Sequence, residues 1–172
     1  MTQLYGTLPN QVPTNADLGT MAFQDASAVK VVNAIVSGLL SPSTTLGIVG
    51  TTLADSAQSG SVGEVITASG TGMTLSSTAA NLVSISLTPG DWMLHGNGGC
   101  ASSVQFQIGI SAVSATFPTN QSSTITTTAA STIALPTPTQ RVNISVTTTY
   151  YLVASAVTGG TGYGTLLARR VR

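Results

Sequence analysis

Val104-Gln105-Phe106-Gln107-Ile108-Gly109-Ile110 alternates apolar with polar or small residues along its whole length. A side-chain period of two belongs to a strand with one face in a core and the other outside. Arg141-Val142-Asn143-Ile144-Ser145-Val146 and Val83-Ser84-Ile85-Ser86-Leu87 repeat the pattern on either side of it. The residues assigned to the outer faces are Gln, Ser, Asn and Gly, where free domains usually carry Lys and Glu. An uncharged exterior on cleanly alternating strands suggests a built part of a larger assembly more than a free enzyme.

Working outward, strands are predicted at Val62–Ala68, Met73–Leu75, Asn81–Leu87, Asp91–Leu94 continuing toward Cys100, Val104–Ser111, Thr124–Ala134, Arg141–Thr147, Tyr150–Val157 and Tyr163–Val171. Turn signals separate them: Thr88-Pro89-Gly90, Phe117-Pro118-Thr119-Asn120, Pro136-Thr137-Pro138 and Thr158-Gly159-Gly160-Thr161-Gly162. Short strands with regular turns and no helix between them predict an all-β sandwich or barrel, and about eight strands suit a jelly roll. Trp92, Phe106, Tyr151 and Tyr163 are the large fillers expected inside or at a subunit interface.

Three segments are expected: an N-terminal anchor over 1–16, a stalk and linker over 17–61, and a jelly-roll-like β-domain over 62–172. Met1–Asn15 is punctuated by Gly6, Pro9, Asn10, Pro13 and Asn15 and reads as extended, held only by something outside itself. Within 17–40 the sequence leaves helix and strand open. Val29, Val32, Val36 and Leu39 follow a three-four-three spacing that suits one face of a short helix or coiled coil. The β-branched run Val29, Val31, Val32, Ile35 and Val36 favours a strand. Either way the stripe needs a partner. Residues 41–61 are rich in Ser, Thr and Gly and read as a linker.

Composition narrows the function. Only 6% of the 172 residues are charged, against roughly 25% in a typical globular protein. Hydrophobic residues make up 42%, which excludes ordinary disorder. Net charge is zero, so little repulsion opposes association. No apolar run reaches the roughly 20 residues of a membrane span, and the first residues lack the pattern of a signal peptide. Membrane insertion is therefore not expected. Cys100 is alone and reads as a buried small hydrophobe. The basic close Ala168-Arg169-Arg170-Val171-Arg172 reads either as a patch for phosphate or carboxylate or as an edge strand using charge against stray pairing, with the edge reading preferred. Nucleic-acid binding is not expected from so small a basic patch.

Catalytic sets are missing. His95 is the only histidine, and Asp91, four residues before it, would lie about 13 Å away along a regular strand. Zinc would need more His or Cys. His95-Gly96-Asn97-Gly98-Gly99 opens no helix and reads as close backbone approach or a bulge, not a nucleotide loop. Five scattered acids make a glycosidase pair a poor reading. The glycosylation patterns at Asn120 and Asn143 carry no weight without a secretion signal. No enzyme activity, cofactor or metal is expected.

Asp17-Leu18-Gly19-Thr20-Met21-Ala22-Phe23-Gln24-Asp25-Ala26-Ser27-Ala28-Val29 resembles a short element recurring in tailed-bacteriophage fibre proteins. Gly63-Glu64-Val65-Ile66, Ile85-Ser86-Leu87-Thr88-Pro89-Gly90-Asp91-Trp92, Pro136-Thr137-Pro138-Thr139-Gln140-Arg141, Thr149-Tyr150-Tyr151-Leu152-Val153-Ala154 and the basic close resemble the C-terminal β-domain of phage fibres and appendages. The resemblance implies a homotrimeric, jelly-roll-like virion appendage. A large tail-attachment domain is not expected here, which favours a head fibre or capsid decoration over a tail fibre. Leu4, Tyr5, Leu8 and Val12 are then the candidate virion anchor, and Val29, Val32, Val36 and Leu39 the candidate trimer stalk contacts. The expected partners are two further copies of the chain and virion proteins, the capsid in preference to the tail. A host-surface receptor such as a glycan is the alternative partner, with Tyr150, Tyr151 and Tyr163 as sugar-stacking candidates.

Overall fold

The computed structural model describes residues 53–172, which form an all-β fold with no helix. Leu4, Tyr5, Leu8 and Val12, Val29, Val32, Val36 and Leu39, and the helix-or-strand question over 17–40 lie outside the described residues. Seven antiparallel strands make one sheet nearly closed on itself in a barrel- or sandwich-like form: β1 (Val65–Leu75), β2 (Ala80–Leu87), β3 (Gly90–Ser111), β4 (Ser122–Pro136), β5 (Gln140–Ile144), β6 (Thr148–Ala156) and β7 (Gly160–Arg170).

β3 is the spine, at 22 residues. Along one margin it meets β7 over Trp92–Ala101 and β6 over Phe106–Ser111. Along the other it meets β5 over Gly90–Leu94 and β4 over Asn97–Gly109. β1 and β2 in turn line β7 and β6. The β3–β4 register shifts between Cys100 and Gln105, and there the buried Ser103 hydroxyl donates to the Gln105 carbonyl at 2.7 Å. This irregularity divides the spine into its two predicted strands, which the structure joins into one. The predicted strands Val62–Ala68 and Met73–Leu75 are likewise one strand, β1, which starts only at Val65 and is interrupted by a bulge at Gly72, whose φ of 76° suits glycine.

Inward positions follow parity. On β3 these are Trp92, Leu94, Gly96, Gly98, Cys100, Phe106, Ile108 and Ile110, all buried. Gly98 pairs with Gly164, and Cys100 with Gly162. Together these glycines make a floor without side chains. Leu152 of β6 and Leu82 of β2 descend onto it: a Cβ at Gly164 would stand 2.6 Å from Leu152 Cδ2, and one at Gly162 would stand 2.8 Å from Leu82 Cδ2. The two halves of the sheet thus face each other across close-packed backbone. The Gly-rich run after His95 is this close approach.

β6 is buried on both faces, including Val153 on the outer side. Residues 112–121 cover that side. Asn81 on β2 holds them, donating from Nδ2 to Ser114 Oγ and accepting the Ala115 N–H, both at 2.7 Å.

Trp92 and Phe106 are fully buried, as their size predicts. Tyr151 is half-buried, and Tyr163 is exposed rather than a core filler. On β7 the inward places belong to Gly162 and Gly164, so Tyr163 points out. The edge-strand reading of the basic close is also wrong. β7 lies between β1 and β3, and Arg170 is buried.

Candidate functional site

Outward residues of β1, β7 and β3 form an open groove of about 480 Å³. Its polar lining is Ser69, Thr71, His95, Asn97, Tyr163 and Thr165, and Leu167 and Ala134 add apolar surface. The sheet register dictates this set. Ser69 pairs with Thr165 and Thr165 with Asn97, so hydroxyl, hydroxyl and amide stand side by side across three strands. Ser69 and Thr165 share a hydrogen bond of 2.9 Å. One step along, His95 pairs with Leu167; one step the other way, Tyr163 pairs with Gly99. The Tyr163 ring lies over Gly99, where a Cβ would collide with it. The phenol end of Tyr163 thus covers its cross-strand glycine, the pairing by which an aromatic shields such a position.

No lining residue is an acid, lysine or arginine. The groove offers donors, acceptors and one aromatic ring without formal charge, which is the chemistry for a neutral polyhydroxyl ligand. Of the three tyrosines grouped by the sequence, only Tyr163 takes part. Tyr150 is buried, and burial pushes its phenol above the ordinary range. Sequence reasoning missed Ser69, Thr71, Asn97 and Thr165. Their signal was the outward half of the period-two pattern, but cross-strand register is needed to bring them together.

Three residues beyond Leu167 along β7, at Arg170, the charges collect at one corner. Arg170 donates from Nε to Glu64 Oε2 at 2.9 Å, from Nη1 to the Pro89 carbonyl at 2.9 Å and from Nη2 to Thr88 Oγ1 at 2.7 Å. Its guanidinium stacks 4.2 Å from the Trp92 ring, and the indole N–H donates to the Thr88 carbonyl. Beside it, Asp91 accepts a bidentate pair from Arg141 at 3.0 and 2.6 Å and a third bond from Arg172 at 2.9 Å. These bonds, Arg141's first, hold the Asp91 carboxyl down at about 2. Glu64 is lowered too, chiefly by the Gly60 N–H and then by Arg170. The basic close therefore meets carboxylates, but those of its own domain.

Asp91 is committed to arginines and does not orient His95, which pairs with Leu167 on the groove side. Among the described residues no three of His, Cys, Asp and Glu gather as a metal-ligand set. No protein-family model matches the chain, and no curated protein sequence matches it either.

Proposed function

We propose that this chain is a non-enzymatic structural protein of a tailed-bacteriophage virion, a homotrimeric surface fibre or decoration seated on the capsid. In this reading Leu4, Tyr5, Leu8 and Val12 anchor it, and Val29, Val32, Val36 and Leu39 hold the trimer. The described domain is a jelly roll. That topology draws support from the pairing, which orders β1-β7-β3-β5 in one half and β2-β6-β3-β4 in the other.

The observation that carries the reading is where charge is absent. From Trp92 to Gln140 there is no Lys, Arg, Asp or Glu. Glu64 and Asp91 are paired with Arg141, Arg170 and Arg172 at one corner, which leaves one net positive charge there. The remaining strands present Ser, Thr and Gly, a surface that packs against neighbours without stranding charge. Immunogold labelling of intact particles with an antibody to the β-domain is the test. Gold over the capsid is expected. Gold confined to the tail moves the protein to adsorption, and unlabelled accessible virions refute a surface role.

The groove favours a second reading, a fibre tip that binds a host glycan. Tyr163 supplies a stacking face, and Asn97, His95 and the hydroxyls supply directional bonds. Purified protein should then adsorb to host cells, with Tyr163→Ala and Asn97→Ala abolishing adsorption. Equal adsorption by wild type and both variants would remove the groove from the account.

A further inference from the structure

The outward face that carries the groove continues beyond it. Cross-strand partners share a face, so the register extends this surface row by row. After the row of Asn97 comes that of Leu167 and His95, and then a row that runs Arg169, Met93, Arg141. The two arginines flank Met93 from its two sides, with their Cα atoms about 10 Å apart across two strand spacings. Successive outward rows lie about 7 Å apart along a strand, so this pair adjoins the last row of the groove.

The fold makes no use of the Arg169 side chain. It is exposed and has no hydrogen bond or ion pair among the described residues. It guards no open margin either, since β7 is paired on both sides, to β1 and to β3. Arg141 is only partly committed. Its Nε and Nη2 bond Asp91, yet its side chain is 57% exposed, and Asp91 is shared with Arg172. One side-chain carboxylate thus stands against Arg141, Arg169 and Arg172. The whole chain has only five basic residues. An unpaired guanidinium at the end of a neutral groove points to a ligand rather than to the fold.

We propose that the groove takes an acidic glycan, a sugar chain bearing carboxylates. Uncharged parts of its rings lie along Tyr163, Thr165 and Asn97, and a carboxylate sits over Met93 between Arg169 and Arg141. The inference rests on the glycan-binding reading given above and names the class of ligand. The dimensions fit: Tyr163 and Arg169 are six residues apart on β7, about 20 Å, the span of a short oligosaccharide. A guanidinium meets a carboxylate through two parallel bonds. Met93, half-buried between the arginines, offers apolar surface to the ring that carries the acid.

Calorimetric titration of the purified full chain is the first test. The probes are oligomers of galacturonate, of mannuronate and of hyaluronan, each used again after reduction of its carboxyls to alcohols. Reduction keeps the rings and removes the charge. At least one acidic oligomer should bind, and its reduced form should bind tenfold or more weakly, the loss of a charged hydrogen bond. Arg169→Gln should erase that difference and melt as the wild type does. Salt at about 1 M, which screens charge within about 3 Å, should narrow it. Polyglutamate supplies carboxylates without rings and should not compete. No binding by any acidic oligomer, equal binding of acidic and reduced forms, or equal binding of polyglutamate overturns the proposal.

Adsorption to host cells separates this proposal from the reading beneath it. Adsorption lost in both Tyr163→Ala and Arg169→Gln is expected. If Tyr163→Ala abolishes adsorption and Arg169→Gln leaves it unchanged, the groove binds a glycan that is not acidic, and this proposal alone falls. If the wild type does not adsorb, or Tyr163→Ala adsorbs equally, the glycan-binding reading falls and carries this proposal with it.

Discussion

Replacing Arg170 with methionine removes the centre of the charged corner while keeping most of its volume. The Arg170 side chain is 6% exposed and that of Glu64 9%, so the pair is out of water. Removing one member of a buried pair strands the other, at a cost of about 3–5 kcal/mol. The stacking on Trp92 and the bonds to Thr88 and Pro89 go as well. A loss of about 4 kcal/mol is expected, which for a domain of this size lowers Tm by about 10–20 °C. Urea unfolding read by tryptophan fluorescence is the assay, since Trp92 is the only tryptophan and lies against the altered group. Adding Glu64→Gln to Arg170→Met should return part of the loss, about 1–3 kcal/mol of coupling, because the amide leaves no stranded charge. Arg169→Met, exposed on the same strand, should stay within about 0.5 kcal/mol of wild type. If Arg170→Met costs less than about 1 kcal/mol, or the two changes simply add, the corner is not a buried pair and the reasoning fails.

Acid should unfold the domain through the same corner. Asp91 and Glu64 ionise below their ordinary values when folded, so their contribution is complete above about pH 5 and is lost as pH falls through 4 toward 2. Asp91→Asn should flatten that slope in a pH series of urea midpoints. Gly98→Ala places a methyl 2.7 Å from Ile108 Cδ1 and 2.9 Å from the Tyr163 carbonyl, and should cost about 1–3 kcal/mol in the same unfolding assay. Cys100, buried and with its thiol pushed upward by burial, should react with a thiol reagent only on unfolding; rapid reaction of the native protein would show that the floor of the sheet opens.

Much of the fold was legible because strands with one buried face write a period of two. Val83 to Leu87 and Val104 to Ile110 fall on β2 and β3, and the turn before Gly90 lies where Pro89-Gly90 predicts it. What the pattern cannot show is continuity. A bulge at Gly72 looks like an end, and the irregularity around Ser103 looks like a turn, because each breaks local alternation while the ladder continues. Long-range pairing is equally silent in a local reading. Arg170 looked like surface charge because its partners, Glu64, Thr88 and Pro89, lie far away in the chain. The groove was legible only in Tyr163 and in the single histidine. Its hydroxyls and amide are common residues, and they acquire meaning from sharing a row.

The place of β7 has a consequence for how the protein is made. It fills the gap between β1 and β3, so the sheet cannot be completed until Gly160–Arg170 has emerged from the ribosome. Translation at about 5–20 residues per second leaves β1 waiting for roughly 5–20 s with an apolar face and an unmatched edge. Sheets assembled from such distant pairings also fold slowly once complete. Release of the last strand thus acts as the timing signal for folding, and chains that stall before it present exposed strands to chaperones and proteases.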